Sequence, residues 1–399
     1  MEEWKEYKYT DLCTLIGGGT PKTSEPSYWN GDIPWLSVKD FGNGDKYVYT
    51  TEKSITKDGL ENSSTKLLQK DDIIISARGT VGAMAMLAKE MAFNQSCFGI
   101  RSNGIVNQHF LYYLTKTKIF ELQKFSHGAV FDTITRETFA NLSCKIPPIE
   151  KQIKIASILS TLDDKIEINR RINDNLEQQA QALFKSWFVD FEPFKDGEFV
   201  ESELGMIPKG WKVGSIYEYI DVIYGAPYKS TLFNENKDGL PLIRIRDLKT
   251  NSPQFYTPEV LPNTEYINAG DILAGMDAEF IPYIWLGERG VLNQRCCKFK
   301  GKNDTISNYY ILFLIKPELE YVQSYKTGTT VSHLGKSDID RFRFSTPPLD
   351  VVLAFSEKIN SMQEEVVSRA NESRRLVHLR DILLPRLMSG EVKVNDLTL

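Results

Sequence analysis

The chain states one framework twice, and this duplication limits its possible folds more than any other feature. Ile146-Pro147-Pro148-Ile149-Glu150 returns as Thr346-Pro347-Pro348-Leu349-Asp350, Asn94-Gln95 as Asn293-Gln294, and Lys70-Asp71-Asp72-Ile73-Ile74-Ile75 as Ala269-Gly270-Asp271-Ile272-Leu273, all displaced by 199 or 200 positions. Trp4 and Trp211, like Ile33-Pro34-Trp35 and Leu240-Pro241-Leu242, stand 207 apart, so the first copy carries an insertion of about seven residues, a size that loops absorb. Solenoid repeats run about 20 to 50 residues. A period four times longer means a duplicated module of domain size. The copies agree in framework and differ in detail, as two similar scaffolds with two different ligands would.

Each copy reads as an irregular, strand-rich domain followed by one long helix. Short apolar runs lie between turn signals at residues 12–16, 33–38, 73–76 and 83–87, with a helix over about 106–120 marked by Phe110, Leu111, Leu114 and Ile119; residues 306–315 hold the matching helix in copy two. The fold class is therefore α+β. After each Pro-Pro the texture changes: residues 149–188 contain neither Pro nor Gly, and a heptad seam runs Ile155, Leu162, Asn169, Leu176, Leu183. Its counterpart is Phe355, Met362, Arg369, Leu376, Leu383, with a second stripe at Leu159 and Ile166 against Ile359 and Val366. A helix of about forty residues is much longer than average, which favours pairing of the two helices over packing of each on its own domain. An antiparallel pair related by a pseudo-two-fold axis would set the polar midpoints Asn169 and Arg369 face to face. The Asn169 oxygen would then accept from the guanidinium; the alternative is that both side chains face water. The expected division is residues 1–147 and 209–347 as domains, 148–190 and 348–390 as long spacer helices, and 191–208 as a connector containing Pro, Gly and acidic residues.

Composition narrows the functional class. Of 399 residues 41% are hydrophobic and 25% charged, ordinary for a water-soluble globular protein. The start lacks a secretory signal pattern and no apolar run approaches the roughly 20 residues needed to cross a bilayer, so a cytoplasmic protein with no membrane partner is expected. Five cysteines without a C-x-x-C pair point to reduced thiols, with neither a disulfide frame nor a zinc site. Net charge is −5, and residues 1–150 and 201–347 each carry 17 basic and 18 acidic side chains. That disfavours a stand-alone nucleic-acid binder but leaves room for local basic clusters, especially within a larger complex.

The ordered motifs Gly18-Gly19-Thr20-Pro21, Ile33-Pro34-Trp35, Ala182-Leu183-Phe184-Lys185-Ser186-Trp187-Phe188, Ile207-Pro208-Lys209-Gly210-Trp211 and Leu383-Leu384-Pro385-Arg386-Leu387-Met388-Ser389-Gly390-Glu391 give the whole chain a resemblance. It resembles the specificity subunits of type I restriction–modification systems. The resemblance implies two target-recognition domains, each reading one half of a bipartite, asymmetric sequence in double-stranded DNA. It further implies long helices that space the domains and dock methyltransferase subunits, two in number, with S-adenosylmethionine on those subunits and restriction/translocase subunits joining for cleavage. Copy two departs from the pattern where Leu240-Pro241-Leu242 lacks tryptophan and where Ala226-Pro227 is read against Thr20-Pro21.

The residues agree with a non-catalytic subunit. There is no Asn-Pro-Pro-aromatic or Asp-Pro-Pro-Tyr run, no H-E-x-x-H and no Walker A: Leu334-Gly335-Lys336-Ser337 imitates the end of a P-loop, but Gly328 precedes Gly335 by seven positions where five are needed. The four histidines are scattered. No metal or catalytic set assembles. What remains are side chains suited to base edges and phosphates. In the first domain the candidates are Lys22, Lys39, Arg78, Asn94, Gln95 and His127; in the second, Lys229, Arg244, Arg246, Asn293, Gln294 and Arg295. For Arg78, and for Arg244 and Arg246 read as alternating along a strand, DNA contact and surface salt bridge weigh equally. The Asn-Gln pair, present in both copies, suits a shared turn better than a base that should differ between half-sites. The glycine-bearing loops around Gly128 and Gly328 suit phosphate contact or a plain surface. A coiled-coil scaffold for protein partners, without DNA specificity, is the alternative; an enzyme with its own active site is weakened by the missing motifs.

Overall fold

The structure, a computed structural model, describes residues 4–42, 44–126, 133–326 and 333–394. The chain divides into two compact units that cut across both long helices: residues 1–167 with 375–399, and residues 168–374. The first long helix, Ile149–Phe188, therefore begins in one unit and ends in the other, and so does the second, Leu349–Met388. Each unit holds one α+β domain, the start of the helix that follows it, and the end of the other helix.

In the first unit a five-stranded sheet has the order Cys13–Gly17, Cys97–Ser102, Ile73–Ser76, Met84–Leu87, Tyr47–Val48. A four-stranded sheet of Lys53–Ile55, Trp29–Leu36, Met91–Phe93 and Leu67–Leu68 completes the strand-rich body. The run Ile73-Ile74-Ile75 shows how the sequence chooses a strand. Its β-branched side chains alternate between two separate cores, Ile73 and Ile75 against the helix Gln108–Ser126 and Ile74 against Leu36, Phe41 and Phe93, and all three are fully buried. The second unit repeats the device, with Ile272 and Ala274 in the main core and Leu273 in a smaller one containing Trp285. Its sheets are Ile220–Tyr224, Cys296–Gly301, Ile272–Gly275, Pro282–Ile284, and Phe255–Thr257, Leu240–Ile243, Gly290–Leu292, Tyr266–Ile267.

Three local readings are corrected by the structure. Residues 12–16 open with a helical turn, Tyr9–Leu12, before the strand Cys13–Gly17. The domain helices start two residues later than the periodicity suggests, at Gln108 and Asn308, and run on to Ser126 and Lys326. Within the connector Phe199–Ser202 and Gly205–Pro208 form a hairpin, and Phe191 and Phe194 pack edge-on against Trp211 at 5.4 and 5.1 Å between ring centroids. Finally, Ala226 corresponds to Gly19 and not to Thr20. Gly19 donates its N–H to the Phe93 carbonyl as Ala226 does to Leu292, and a Cβ on either preceding glycine, Gly18 or Gly225, would collide with the carbonyl of Asn94 or Asn293.

The helix-end motifs acquire a meaning from packing. Phe184 and Phe188 enter the second core beside Ile207 and Trp211, while Leu384, Leu387 and Met388 enter the first core beside Trp4. Gly390, at φ +77°, terminates the second long helix against the Trp4 ring.

Candidate DNA-reading clefts and the polar helix pair

In the first domain an open cleft of about 830 Å³ lies between the end of the strand Trp29–Leu36, the turn Val38–Asp40, the turn after Ile73–Ser76 and the turn at Asn94. Lys39, Arg78 and Asn94 line it together, with Trp35, Ser37, Lys53, Thr80 and Ser96. The turn at residues 38–40 is held by Asp40, whose carboxylate accepts from the Ser37 N–H (2.7 Å), the Ser37 hydroxyl (2.8 Å) and the Glu52 N–H (2.8 Å). Asp40 is thus spent on structure. Lys39 and Arg78 are exposed and make no hydrogen bond or ion pair with the described residues, so both cations are available to an anion or a base edge. Lys22 is likewise exposed; its backbone carbonyl accepts from the Trp29 indole at 3.2 Å, which fixes the loop that presents it.

The same scaffold positions recur in the second domain with other residues. Arg244 and Asp247 occupy the places of Ser37 and Asp40, since the Arg244 N–H donates to Asp247 at 3.0 Å as Ser37 does to Asp40. Arg246 then falls where Lys39 stands, and it too is exposed without a described partner. The strand expected to carry both arginines stops at Ile243, and Ile245–Leu248 is a short helix, because Asp247 captures the Arg244 N–H at its start. Arg244 is largely committed. Its guanidinium lies 3.5 Å from Asp247, 3.3 Å from the Gln254 oxygen and 4.2 Å from the Phe255 ring centroid. Burial raises the Asp247 carboxyl above its usual value even though the Arg244 N–H and charge oppose the rise. Lys229, the counterpart of Lys22, has its N–H bonded to Glu259 (2.8 Å) and its ammonium 4.0 Å from the same carboxylate. Arg295 is paired with Asp277 at 2.7 Å.

Asn94 and Asn293 do one structural job. Each side-chain oxygen accepts the N–H two residues on, from Ser96 at 3.1 Å and Arg295 at 3.2 Å. This is a side-chain-closed turn identical in both copies. Gln95 is exposed and accepts from the Thr20 hydroxyl, and Gln294 is exposed with its N–H on the Ala226 carbonyl. His127 and both glycine-bearing loops, residues 127–132 and 327–332, lie outside the described residues. The P-loop imitation is a four-residue helix, Lys336–Ile339, whose Gly335 N–H is taken by the Asp338 carboxylate at 2.8 Å, a group that repels phosphate. Among the described residues no group of His, Cys, Asp and Glu could hold a metal, and all five cysteines are free and buried.

Within the second unit the two long helices run antiparallel. Asn169 is fully buried; its oxygen accepts from Arg369 Nη1 at 3.2 Å and its amide donates to Glu372 (2.8 Å) and Ser373 (3.3 Å). One turn on, the Asn173 amide donates to the Val366 carbonyl at 3.2 Å. Arg369 also pairs with Glu365 at 2.5 Å. The first unit has a different polar contact between the helices: Arg380 Nη1 donates to Asp163 at 2.8 Å, and the Tyr113 hydroxyl donates to the other Asp163 oxygen at 2.6 Å. Burial works against the Arg380 charge, but Asp163 and Asp381 overcome it and hold the guanidinium protonated.

Sequence reasoning missed Ser37, Thr80 and Ser96 in the first-domain cleft, Asp277 beside Arg295, and Asp163 and Arg380 between the helices. The offsets contained part of the signal, since 207 carries Lys39 onto Arg246 and 199 carries Arg78 onto Asp277. The family model for the type I restriction modification DNA specificity domain matches residues 1–178 and 208–371. The MjaIX specificity subunit of Methanocaldococcus jannaschii, a type I restriction enzyme component, is 30% identical over 99% of this chain and 95% of its own. The HindI specificity subunit of Haemophilus influenzae is 26% identical over 98% of this chain and 100% of its own. The crystal structure of a type I restriction–modification S subunit from M. genitalium superposes with a TM-score of 0.53 at 15% identity, covering 97% of this chain and 96% of that one, a likeness of fold. With two copies of the domain model matched in register with the internal repeat, the chain belongs to the type I restriction–modification DNA specificity family.

Proposed function

We propose that this chain is the non-catalytic sequence-reading subunit of a type I restriction–modification complex, and that each domain reads one half of a bipartite, asymmetric target in double-stranded DNA. The observation that carries this reading is the pair of turns built on one scaffold: Val38–Asp40 and Ile245–Leu248 are held by the same carboxylate contact yet present different side chains, Lys39 in one and Arg246 in the other. Arginine fits guanine O6 and N7, and cations also neutralise phosphates, so such positions either specify or anchor. Lys22, Lys39, Arg78 and Arg246 are the strongest contacts because their charges are uncommitted. Asn94 and Asn293 are assigned to the scaffold, Gln95 and Gln294 to the rim, and Arg244 and Lys229 to supporting ion pairs.

The long helices serve as spacer and as docking rods for two methyltransferase subunits, which supply S-adenosylmethionine; restriction/translocase subunits join that core. A helix of 40 residues spans roughly 60 Å at 1.5 Å per residue, more than one DNA turn of about 34 Å. The buried Asn169–Arg369 contact fixes register along this pair, since a polar residue in a seam penalises every slipped alignment. No described helix is long and apolar enough to cross a membrane. The test is to map methylated sites in a genome carrying this chain and its methyltransferase, then to exchange residues 209–347 for a homologous domain. One half of the target changes and the other stays. A change in both halves together, or methylation without a bipartite target, refutes the proposal.

A further inference from the structure

Resting on that reading, we infer that Arg295 is, beside Arg246, a base-reading side chain of the second domain and that Asp277 is its positioning residue, standing where the first domain places its own reading arginine, Arg78. The equivalence is fixed by the backbone. Ala77 donates its N–H to the Ser96 carbonyl and Met276 donates to the Arg295 carbonyl, both at 2.8 Å; Ile134 and Leu334 then donate to the carbonyls of Ala77 and Met276 at 3.0 and 2.7 Å. The next residues but one, Gly79 and Ala278, both turn through positive φ, at +79° and +62°. Position 78 is therefore position 277, and position 96 is position 295. In the first domain these hold Arg and Ser; in the second, Asp and Arg. The cation has crossed to the neighbouring strand end, and a carboxylate occupies the place it left.

Both oxygens of that carboxylate are engaged. One oxygen accepts from Arg295 Nη1 at 2.7 Å, and the other lies 2.7 Å from Nδ1 of His333, whose backbone also bridges to Asp277. Gripped on both oxygens and only 26% exposed, Asp277 has little acceptor capacity to offer a base. Arg295 is 58% exposed and gives Asp277 one of its five N–H donors, so the rest of its fork faces outward in a fixed direction. An exposed ion pair of this kind contributes little to stability, which makes its service as an aiming device the better account of it. A guanidinium held by one edge while its free edge meets guanine loses less side-chain freedom on binding than an untethered one. The second half-site should thus contain a guanine read by Arg295.

The test uses the full chain in its complex with the methyltransferase, with methylation mapped across random-sequence DNA for wild type, Arg295→Ala, Asp277→Ala and the double variant. The expected result is relaxation at one base pair of the second half-site in all three variants, by about 10- to 100-fold for Arg295→Ala, less for Asp277→Ala and no further in the double variant. The first half-site should not change. If Asp277→Ala relaxes a different base pair from Arg295→Ala, Asp277 reads on its own and the inference is overturned. If Arg295→Ala lowers methylation of every site equally with the target intact, Arg295 contacts phosphate and the inference is again overturned. Arg295→Gln and Asp277→Asn, which remove the charge but keep a polar side chain in place, give the same discrimination should an alanine variant melt early. A wild-type map with no bipartite target would instead defeat the DNA-reading role itself.

Discussion

Removing Arg380 should destabilise the first unit far more than removing Arg380 and Asp163 together. The Asp163 side chain is 3% exposed and that of Arg380 12%, so the pair sits out of reach of bulk water. In Arg380→Ala the Asp163 carboxylate keeps only the Tyr113 hydroxyl hydrogen bond. Breaking a buried pair on one side typically costs about 3–5 kcal/mol, because the remaining charge is left without compensation. The value here should lie near the lower end, about 3 kcal/mol, since Lys116, itself pushed down by burial and by the Arg380 charge, remains close enough to answer Asp163. The matching positions in the second unit, 200 residues away along the repeat, are Gln363 and Ala180, an uncharged solution to the same packing problem. Installing it as Asp163→Gln with Arg380→Ala leaves no buried charge and should cost only about 1 kcal/mol. Hydrogen exchange of amides within residues 108–126 and 155–163 reports this unit alone. Opening should become about a hundredfold faster in Arg380→Ala, at 1.4 kcal/mol per factor of ten, and return most of the way in the double variant, with residues 308–326 unaffected. A single variant costing under 1 kcal/mol, or a double variant less stable than the single, would show that this contact is not the buried ion pair described.

Cysteines at 169 and 369, in a chain whose five native cysteines are replaced, should form an intramolecular disulfide on oxidation, and a pair at 173 and 366 should do the same; failure of both refutes the antiparallel register read from Asn169 and Asn173. Gly18→Ala should destabilise the first unit by about 1–3 kcal/mol in denaturant unfolding, because its methyl group meets the Asn94 carbonyl and the Phe93 ring, whereas Gly17→Ala, with nothing within 4 Å, should be nearly neutral. Asp338 gives a pH test. Burial raises its carboxyl, but the Lys326 hydrogen bond at 2.6 Å, the Gly335 N–H and the Lys326 and Arg341 charges outweigh burial and hold it below the ordinary value of 3.8. A carboxyl depressed by folding adds stability above its unfolded value, and that share is lost as pH falls through the folded one. The gap in denaturant midpoint between wild type and Asp338→Asn should therefore be full at pH 7 and narrow below about pH 4; a gap independent of pH would refute it.

Periodicity made the large features legible and side-chain chemistry hid the small ones. The seam through Ile155, Leu162 and Asn169 and the Pro-Pro pairs were enough to mark both long helices, because the heptad period persists over each, with Gly and Pro missing throughout residues 149–188 and a lone Pro385 in the last turn of the second. Arg244 and Arg246 misled because a two-residue alternation also describes a strand end followed by a turn; the decisive residue, Asp247, acts through a hydrogen bond that no pattern of apolar positions records. The division of each helix between two units was likewise invisible, since a heptad repeat marks which face is buried but not what lies against it. Asp277 escaped because a carboxylate is not an obvious reader of a polyanion. Its importance lies in what it holds.

The differences between the copies are as informative as their likeness. Were two first halves to pair through the same helix face, Asp163 of each would meet Ala180 of the other and lie buried without a cation; two second halves would set Arg380 against Gln363. At the midpoint, Asn169 would face a second Asn169 and lose the Arg369, Glu372 and Ser373 contacts, or Arg369 would face a like charge. Each mismatch strands a polar group in a seam that excludes water, at several kcal/mol for a charge and about 1–3 kcal/mol for an amide. Only the pairing of one half with the other gives Asp163 its Arg380 and Asn169 its Arg369, Glu372 and Ser373 contacts. A duplicated scaffold that had kept identical seams would gain nothing from carrying two different domains on one chain, because its halves could exchange between molecules; the asymmetric seam binds one particular first domain to one particular second domain.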